Sequence, residues 1–423
     1  MAEYTQFWKR IYAVNWIAGV TDFFTLNIWP MIMAYLIRET TFLGPDPRSA
    51  AATGGLLISL FALGNAIGGI IMAYPADRWG RKRTLQCTIG IYTLGAFLTG
   101  ISPSWIVMAP ARFIEGFGNG GEDCGRVPYI METVPAKIRG FALGLMQASQ
   151  TVGAVLASLS APLILATWAD WRYVWFVGAL ASLIPIILLF FVPESRRWME
   201  TAQAVKEGKI KNVHAPSKVT YVELFKRELR RTTVLAILLQ LVLNTVSWGY
   251  TFWMPTLLFV ERKISYEMAG IFMALANVTS IIGLLSWSRL SDVIGRKKIL
   301  YASTLLTTLI LILISVVYDP TTLLALVLLG GFCMMGTGNA VYSLASEWFP
   351  TRVRATGWGF SLSVGRIAST VCAGVVPGLV ASLGASISQI FMAFGVCVLA
   401  FIPIGYAGVE TAKKELEEIS GAA

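Results

Sequence analysis

Charged residues are scarce. Asp, Glu, Lys and Arg make up 14% of the 423 residues, whereas a soluble domain carries about 25%. With 56% hydrophobic residues beside that deficit, a soluble enzyme and a disordered chain are both excluded. Histidine is nearly missing: the single copy, His214, lies in a polar stretch, so no histidine-ligated metal site is expected within a membrane. The five cysteines, Cys87, Cys124, Cys333, Cys372 and Cys397, are odd in number, sit in or beside apolar runs and form no C-x-x-C. They read as small buried hydrophobes rather than disulfide or zinc ligands. There is no G-x-x-x-x-G-K-S/T loop, so ATP is not expected to drive the chain. Lacking also a nucleophile–base pair or a metal cluster, the protein is not expected to be an enzyme.

What is present is apolar sequence in long blocks. Segments fall at about 11–37, 53–76, 84–101, 104–130, 140–166 and 171–192, then at about 232–259, 267–290, 298–318, 321–346, 355–383 and 386–408. A membrane-spanning helix needs roughly 20 apolar residues. Each block qualifies, and the first is too long for a signal-peptide core and holds Asp22, Asn27 and Pro30. The expected fold is an all-α membrane protein of twelve transmembrane helices in two pseudo-symmetric six-helix bundles. Its expected divisions are a first bundle over 1–192, a linker over 193–231, a second bundle over 232–408 and a tail over 409–423. The basic linker should form short helices on the membrane surface.

The net charge of +10 would suggest nucleic acid in a soluble chain. Here the cations crowd alternate connections instead. Lys9, Arg10, Arg78, Arg81, Lys82, Arg83, Lys137, Arg139, the linker, Arg296, Lys297, Lys298, Arg352, Arg354, Lys413 and Lys414 fall on one side. The other side has only Arg38, Arg48, Arg172, Arg262 and Lys263. The richer side is cytoplasmic by the positive-inside rule. A multi-pass protein of the cell's inner membrane with both termini cytoplasmic is therefore expected, with no nucleic-acid partner.

The halves are copies. Asp77-Arg-Trp-Gly-Arg-Lys-Arg83 recurs as Asp292-Val-Ile-Gly-Arg-Lys-Lys298, and Glu132-Thr-Val-Pro-Ala-Lys-Ile-Arg139 as Glu347-Trp-Phe-Pro-Thr-Arg-Val-Arg354, each 215 residues on. Gly116-Phe117 and Pro162 return as Gly331-Phe332 and Pro377 at the same spacing. Parallel repeats facing a central site are the plan of an alternating-access carrier. The expected cytoplasmic gate comprises Asp77, Arg78, Arg81, Glu132 and Arg139 with Asp292, Arg296, Glu347 and Arg354. Its charge-assisted pairs would break as the halves rock.

These motifs, together with R-F-x-x-G-x-G-x-G from Arg112 to Gly120 and Pro193-Glu-Ser-Arg-Arg-Trp198, resemble the major facilitator superfamily over essentially the whole chain. Trp248-Gly-Tyr-Thr-Phe-Trp-Met-Pro-Thr-Leu-Leu258, Gly120-Gly-Glu122 and Gly365-Arg-Ile-Ala-Ser369 look most like its prokaryotic aromatic-acid and nicotinate symporters and their organic-anion relatives. The seventh segment has Asn244-Thr-Val-Ser-Trp-Gly-Tyr250 where sugar porters carry a Gln-Gln pair, whereas Gln147 matches a sugar-contacting glutamine. The resemblance implies that Asp22 takes the proton, that Arg112 pairs with it, and that Arg366 faces a substrate anion.

Charge inside a bilayer costs about 2.5–3.5 kcal/mol per residue on insertion scales, so each such residue needs a purpose. Asp22 falls near the middle of the first segment. On the fourth, Arg126 stands i,i+4 from Glu122 and i,i+3 from Asp123 and can neutralise either acid, leaving the other for a proton. Arg366 has no carboxylate near it in sequence, and a guanidinium fork suits a carboxylate. Gln147, Asn244, Tyr250, Trp253 and Tyr342 are candidates to line a site, with Gln150, Trp248 and Asn339 beside them. The expectation is a monomeric secondary transporter carrying a small organic anion, such as a monocarboxylate or aromatic acid, with protons. It needs no cofactor and no metal, the coupling ion being the proton. A proton-linked or facilitative sugar or polyol porter is the alternative, and a transporter-like receptor a remote one.

Overall fold

The computed structural model describes residues 2–135, 139–207, 221–349 and 353–411. In hydrocarbon every backbone N–H and C=O must find an internal partner, and helices do this within one segment. The described chain is accordingly helical. The first half contains α1 (Ala2–Glu39), α2 (Pro47–Trp79), α3 (Arg81–Ile101), α4 (Trp105–Thr133), α5 (Arg139–Trp168) and α6 (Arg172–Phe190). In the linker, α7 (Arg196–Lys206) precedes a 3₁₀ turn at Tyr221–Phe225, and residues 208–220, His214 included, lie outside the described set. The second half has α8 (Arg230–Thr256), α9 (Tyr266–Ile294), α10 (Arg296–Val316), α11 (Pro320–Glu347), α12 (Arg354–Thr370), α13 (Val376–Ser382), α14 (Ile387–Val398) and α15 (Phe401–Ala407).

Among the described residues, eleven helical stretches are long and apolar enough to cross a membrane; α12 with α13, and α14 with α15, each count as one. The twelfth expected span is α4, 29 residues long but carrying Arg112, Glu115, Glu122, Asp123 and Arg126. Burial is inverted relative to a soluble protein. Large apolar residues such as Leu163, Phe190 and Val293 are about two-thirds exposed, while Arg112 and Arg126 are among the largest fully buried side chains.

Helix ends follow local chemistry. Asp46 accepts the Ser49 hydroxyl and the Arg48 and Ser49 amides at the start of α2, and those bonds hold its carboxyl below the ordinary range. Asp319, followed by Pro320, serves α11 through Thr322. Ser386 and Gln389 form a capping box on α14. Single-residue breaks separate α2 from α3 at Gly80 and α9 from α10 at Gly295, with φ of 102° and 120°, a region that costs any residue with a Cβ.

The chain groups into two compact units: residues 1–32 with 60–218, and 33–59 with 219–423. This division departs from the sequence expectation at 33–59, because the ends of α1 and α2 nearest their connection pack with second-half helices. In the first unit, Gly116 and Gly120 of α4 lie on the Phe61 and Asn65 carbonyls of α2 so closely that a Cβ would sit 2.0 and 1.8 Å from those oxygens. In the second unit two π turns interrupt the spans, Leu257–Glu261 and Val371–Val375. Side chains take up carbonyls there: Arg38 donates to Phe259 O at 2.7 Å, Ser59 to Thr370 O at 2.6 Å and Trp253 to Ala373 O at 2.9 Å.

One knot secures the second unit. The Arg262 side chain, fully buried, donates to the Ile314 and Ser315 carbonyls at 3.1 and 2.8 Å, pairs with Glu261 at 3.2 Å and stacks on Tyr318. Glu261 in turn accepts from the Ser388 amide and hydroxyl at the start of α14. Arg262→Ala should lose about 3–5 kcal/mol, the usual cost of removing one partner of a buried pair. Thermal melting in detergent would register it, with Arg262→Lys recovering only part because one ammonium cannot reproduce the fork.

Candidate functional site

Besides Glu132 near its end, α4 carries five charged side chains, and the first unit arranges those five in two groups. Arg112 is completely buried and pairs with Glu115 at 2.6 Å. Its guanidinium carbon lies 4.9, 4.7 and 5.2 Å from the ring centroids of Trp29, Phe61 and Trp175, an aromatic cage that favours a cation. This corrects the pairing drawn from the family resemblance: Arg112 joins Glu115 one turn along its own helix rather than Asp22. Glu115 was overlooked although its i,i+3 spacing from Arg112 was visible in the sequence.

Asp22 belongs to the second group. It is 2% exposed and accepts a hydrogen bond from the Asn119 amide nitrogen. Arg126 pairs with Glu122 at 3.4 Å and with Asp123 at 2.7 Å, so it reaches both acids rather than choosing one. Glu122 is fully buried, whereas the Asp123 side chain is 42% exposed. Among the described residues, neither Glu122 oxygen has a hydrogen-bond partner. The fields of Arg126, Asp123 and Glu115 reach Asp22, and those of Asp22 and Asp123 reach Glu122. Tyr92 of α3 faces the same cluster, its hydroxyl 3.4 Å from that of Thr21. Among the described residues, one cation thus serves three carboxylates, touching Glu122 and Asp123 and reaching Asp22 by its field.

The other expected ligands scatter by environment. Asn244, Tyr250 and Trp253 of α8 are buried, and their polar atoms are engaged by backbone: Asn244 donates to Gln240 O at 2.7 Å, Tyr250 to Val327 O at 3.1 Å and Trp253 to Ala373 O. In this arrangement Tyr250 and Trp253 fasten helices, while Asn244 bonds a carbonyl of its own helix. Gln147 of α5 and Tyr342 of α11 are exposed, and Arg366 of α12 is partly buried.

The expected gate resolves into matched clamps, one in each unit. Arg81 pairs with Glu132 at 2.9 Å, and Arg296 with Glu347 at 2.8 Å, the same two positions of the repeat. Glu194 accepts the Arg81 and Lys82 amides at the start of α3, and Glu410 the Arg296 and Lys297 amides at the start of α10. A Cβ on Gly80 would lie 2.2 Å from the Glu194 carboxylate, and one on Gly295 would lie 3.2 Å from that of Glu410. Glu194 and Glu410 were not anticipated as a pair. The sequence signal was Val192-Pro-Glu-Ser against Gly408-Val-Glu-Thr, offset by 216 instead of 215. Arg78 stands exposed beside Tyr74, at 3.0 Å from its hydroxyl. The side chains of Asp77, Arg139, Asp292 and Arg354 lie outside the described set.

This helical architecture, charged on the inside and apolar on the outside, suits a bilayer, and the family it matches is one of transporters rather than enzymes. Residues 22–422 match the model of the sugar (and other) transporter family, and the chain belongs to that family. It is 28% identical over 82% of its length, and 81% of the relative's, to a probable 4-methylmuconolactone transporter of Cupriavidus pinatubonensis. It is 27% identical to the cis,cis-muconate transport protein of Acinetobacter baylyi, covering 92% of this chain and 91% of that one. The crystal structure of a D-xylose-proton symporter has the same fold, with a TM-score of 0.77 at 19% identity over 94% of this chain and 97% of that one.

A carboxylate accepting backbone amides at a helix start contributes about 1.5–3 kcal/mol. Glu194→Ala and Glu410→Ala should therefore lower the melting temperature in detergent by similar amounts. A Glu410→Ala protein that melts like the wild type would dissolve the equivalence of the two clamps.

Proposed function

We propose that the protein is a proton-coupled symporter of a small organic anion, a monocarboxylate or aromatic acid. It works by alternating access as a monomer in the inner membrane, with both termini in the cytoplasm. The observation that carries this reading is the charge imbalance around Arg126. Among the described residues, two deeply buried carboxylates, Asp22 and Glu122, and a half-exposed third, Asp123, lie in contact with or within the field of one guanidinium. An uncompensated charge in such a place is costly, and a proton on Asp22 or Glu122 removes it. A cluster so built gains and loses protons as its access to water changes.

Arg366 supplies the counterpart for the substrate. It lies within α12 with nonpolar Ile367 next to it and Gly365 behind it, and its fork suits a carboxylate. Muconate, named for one relative, is a carboxylate, which supports the anion reading. Arg112, held by Glu115 inside its cage, keeps α4 in register with α1, α2 and α6. The Arg81–Glu132 and Arg296–Glu347 clamps act as the cytoplasmic gate, loosening when that side opens.

A proton-linked sugar or polyol porter is the second reading. It is favoured by exposed Gln147 on α5 and by the xylose-proton symporter that shares the fold.

In proteoliposomes, uptake of an acid chosen by thermal-shift screening should rise with an inward proton gradient. Asp22→Asn should abolish accumulation against a gradient, and a variant that still concentrates the acid would remove Asp22 from coupling. Arg366→Ala separates the two substrate classes: binding of an acid should weaken by tenfold or more, about 1.4 kcal/mol or above, whereas binding of a sugar would largely survive.

A further inference from the structure

Two asparagines not yet given a role connect Asp22 to the rest of the first unit. Asn119 of α4 and Asn65 of α2 are 8% and 6% exposed. The Asn65 side-chain nitrogen donates to the Asn119 side-chain oxygen, and the Asn119 nitrogen donates to Asp22. Every N–H in this chain points the same way, from α2 through α4 to the carboxylate on α1. Amides are costly to bury unless they are bonded, and two here are spent on one acid.

We propose that the Asn65–Asn119 pair is a positioning relay that sets the proton affinity of Asp22 and couples its charge state to α2. The proposal rests on Asp22 being the proton carrier. A donor held against a carboxylate favours the charged form, and Asn65 fixes which way the Asn119 amide faces, because its own N–H occupies the Asn119 oxygen. When Asp22 takes a proton, the demand for the Asn119 donor falls, and the amide is free to turn its oxygen to the new hydroxyl. That turn breaks the bond to Asn65. The backbones leave little slack for any other response, since Gly120, next to Asn119, lies directly on the Asn65 carbonyl.

The surroundings of Asp22 make the relay separable from the ion pairs. From α4 it faces Arg126, Glu122, Asp123 and Glu115, and from α3 the hydroxyl of Tyr92. On α5, Gly153 packs on the Val20 carbonyl and Ser149 lies against Gly19, and neither residue brings a charge. From α2 the contact is the neutral Asn65, through Asn119. Substituting either asparagine therefore alters hydrogen bonding to Asp22 while every formal charge stays in place.

The test needs no substrate. In the reconstituted full-length protein, infrared difference spectra taken across pH should contain a protonated-carboxyl band that Asp22→Asn removes; its midpoint is the titration of Asp22. Loss of a hydrogen bond to a charged group, about 1.5–3 kcal/mol, corresponds to about one to two pH units. Asn119→Leu should move the midpoint to higher pH by that amount, and Asn65→Leu by less in the same direction. Asn119→Ser, which keeps a hydroxyl donor and a small volume, should fall between wild type and Asn119→Leu and serves if the leucine variant does not fold. An unchanged midpoint in the Asn119 variants overturns the relay and leaves Asp22 as carrier. If Asp22→Asn removes no band, the carrier assignment itself fails and the relay with it.

Discussion

A guanidinium in hydrocarbon must be matched by acid where it stands, and in the first unit that constraint shapes nearly everything else. Arg112 and Arg126 are both fully buried on α4. The first is balanced one-to-one by Glu115 and wrapped in three aromatic rings. The second is outnumbered, with Glu122 and Asp123 in contact and Asp22 within its field. The same helix therefore carries a balanced pair and an acid-rich cluster, three to four turns apart along one axis. The glycines of α4 that bring α2 into backbone contact also close the space around both.

The second unit is built on different terms. Its deepest charged side chain, Arg262, is spent on carbonyls at the end of α10 and on Glu261. Carbonyls in and beside its π turns accept bonds from the Arg38, Ser59 and Trp253 side chains. π turns are frequent at functional positions, and here they fall in the two spans, α8 and α12, that contain Tyr250, Trp253 and Arg366. Asymmetry between duplicated halves is thus concentrated in how buried polar groups are satisfied, with clustered acids on one side and helix irregularity on the other.

Much of this was legible in the sequence, and what was not shares a physical reason. The spans announced themselves because each is a long apolar run, and α4 did so even though its charges lower its hydropathy. The duplication followed from one spacing, which also marked Arg81, Glu132, Arg296 and Glu347 as gate residues without showing which of them pair. Glu115 was equally readable from its i,i+3 spacing to Arg112, but that spacing does not by itself set a local partner above a distant acid such as Asp22. The Asn119 bond to Asp22 joins residues 97 apart, and Tyr250 and Trp253 reach carbonyls 77 and 120 residues away. No local pattern reveals such partners. An aromatic residue with a polar tip reads the same whether it awaits a ligand or is tied to a neighbouring helix. Residues 33–59 likewise belong to the first half by sequence and to the second unit by packing.

The mirrored glutamates carry a consequence for biogenesis. Glu194 follows α6 directly, so the first clamp has all its parts as soon as the sixth span has been synthesised. Glu410 follows α15, so the equivalent clamp on α10 waits until every span of the second half has been made. Domains tend to fold in order as they emerge during synthesis, so each repeat has to hold its second and third spans ready for a glutamate that arrives after its last one, and the first repeat can close its clamp while the second is still being made.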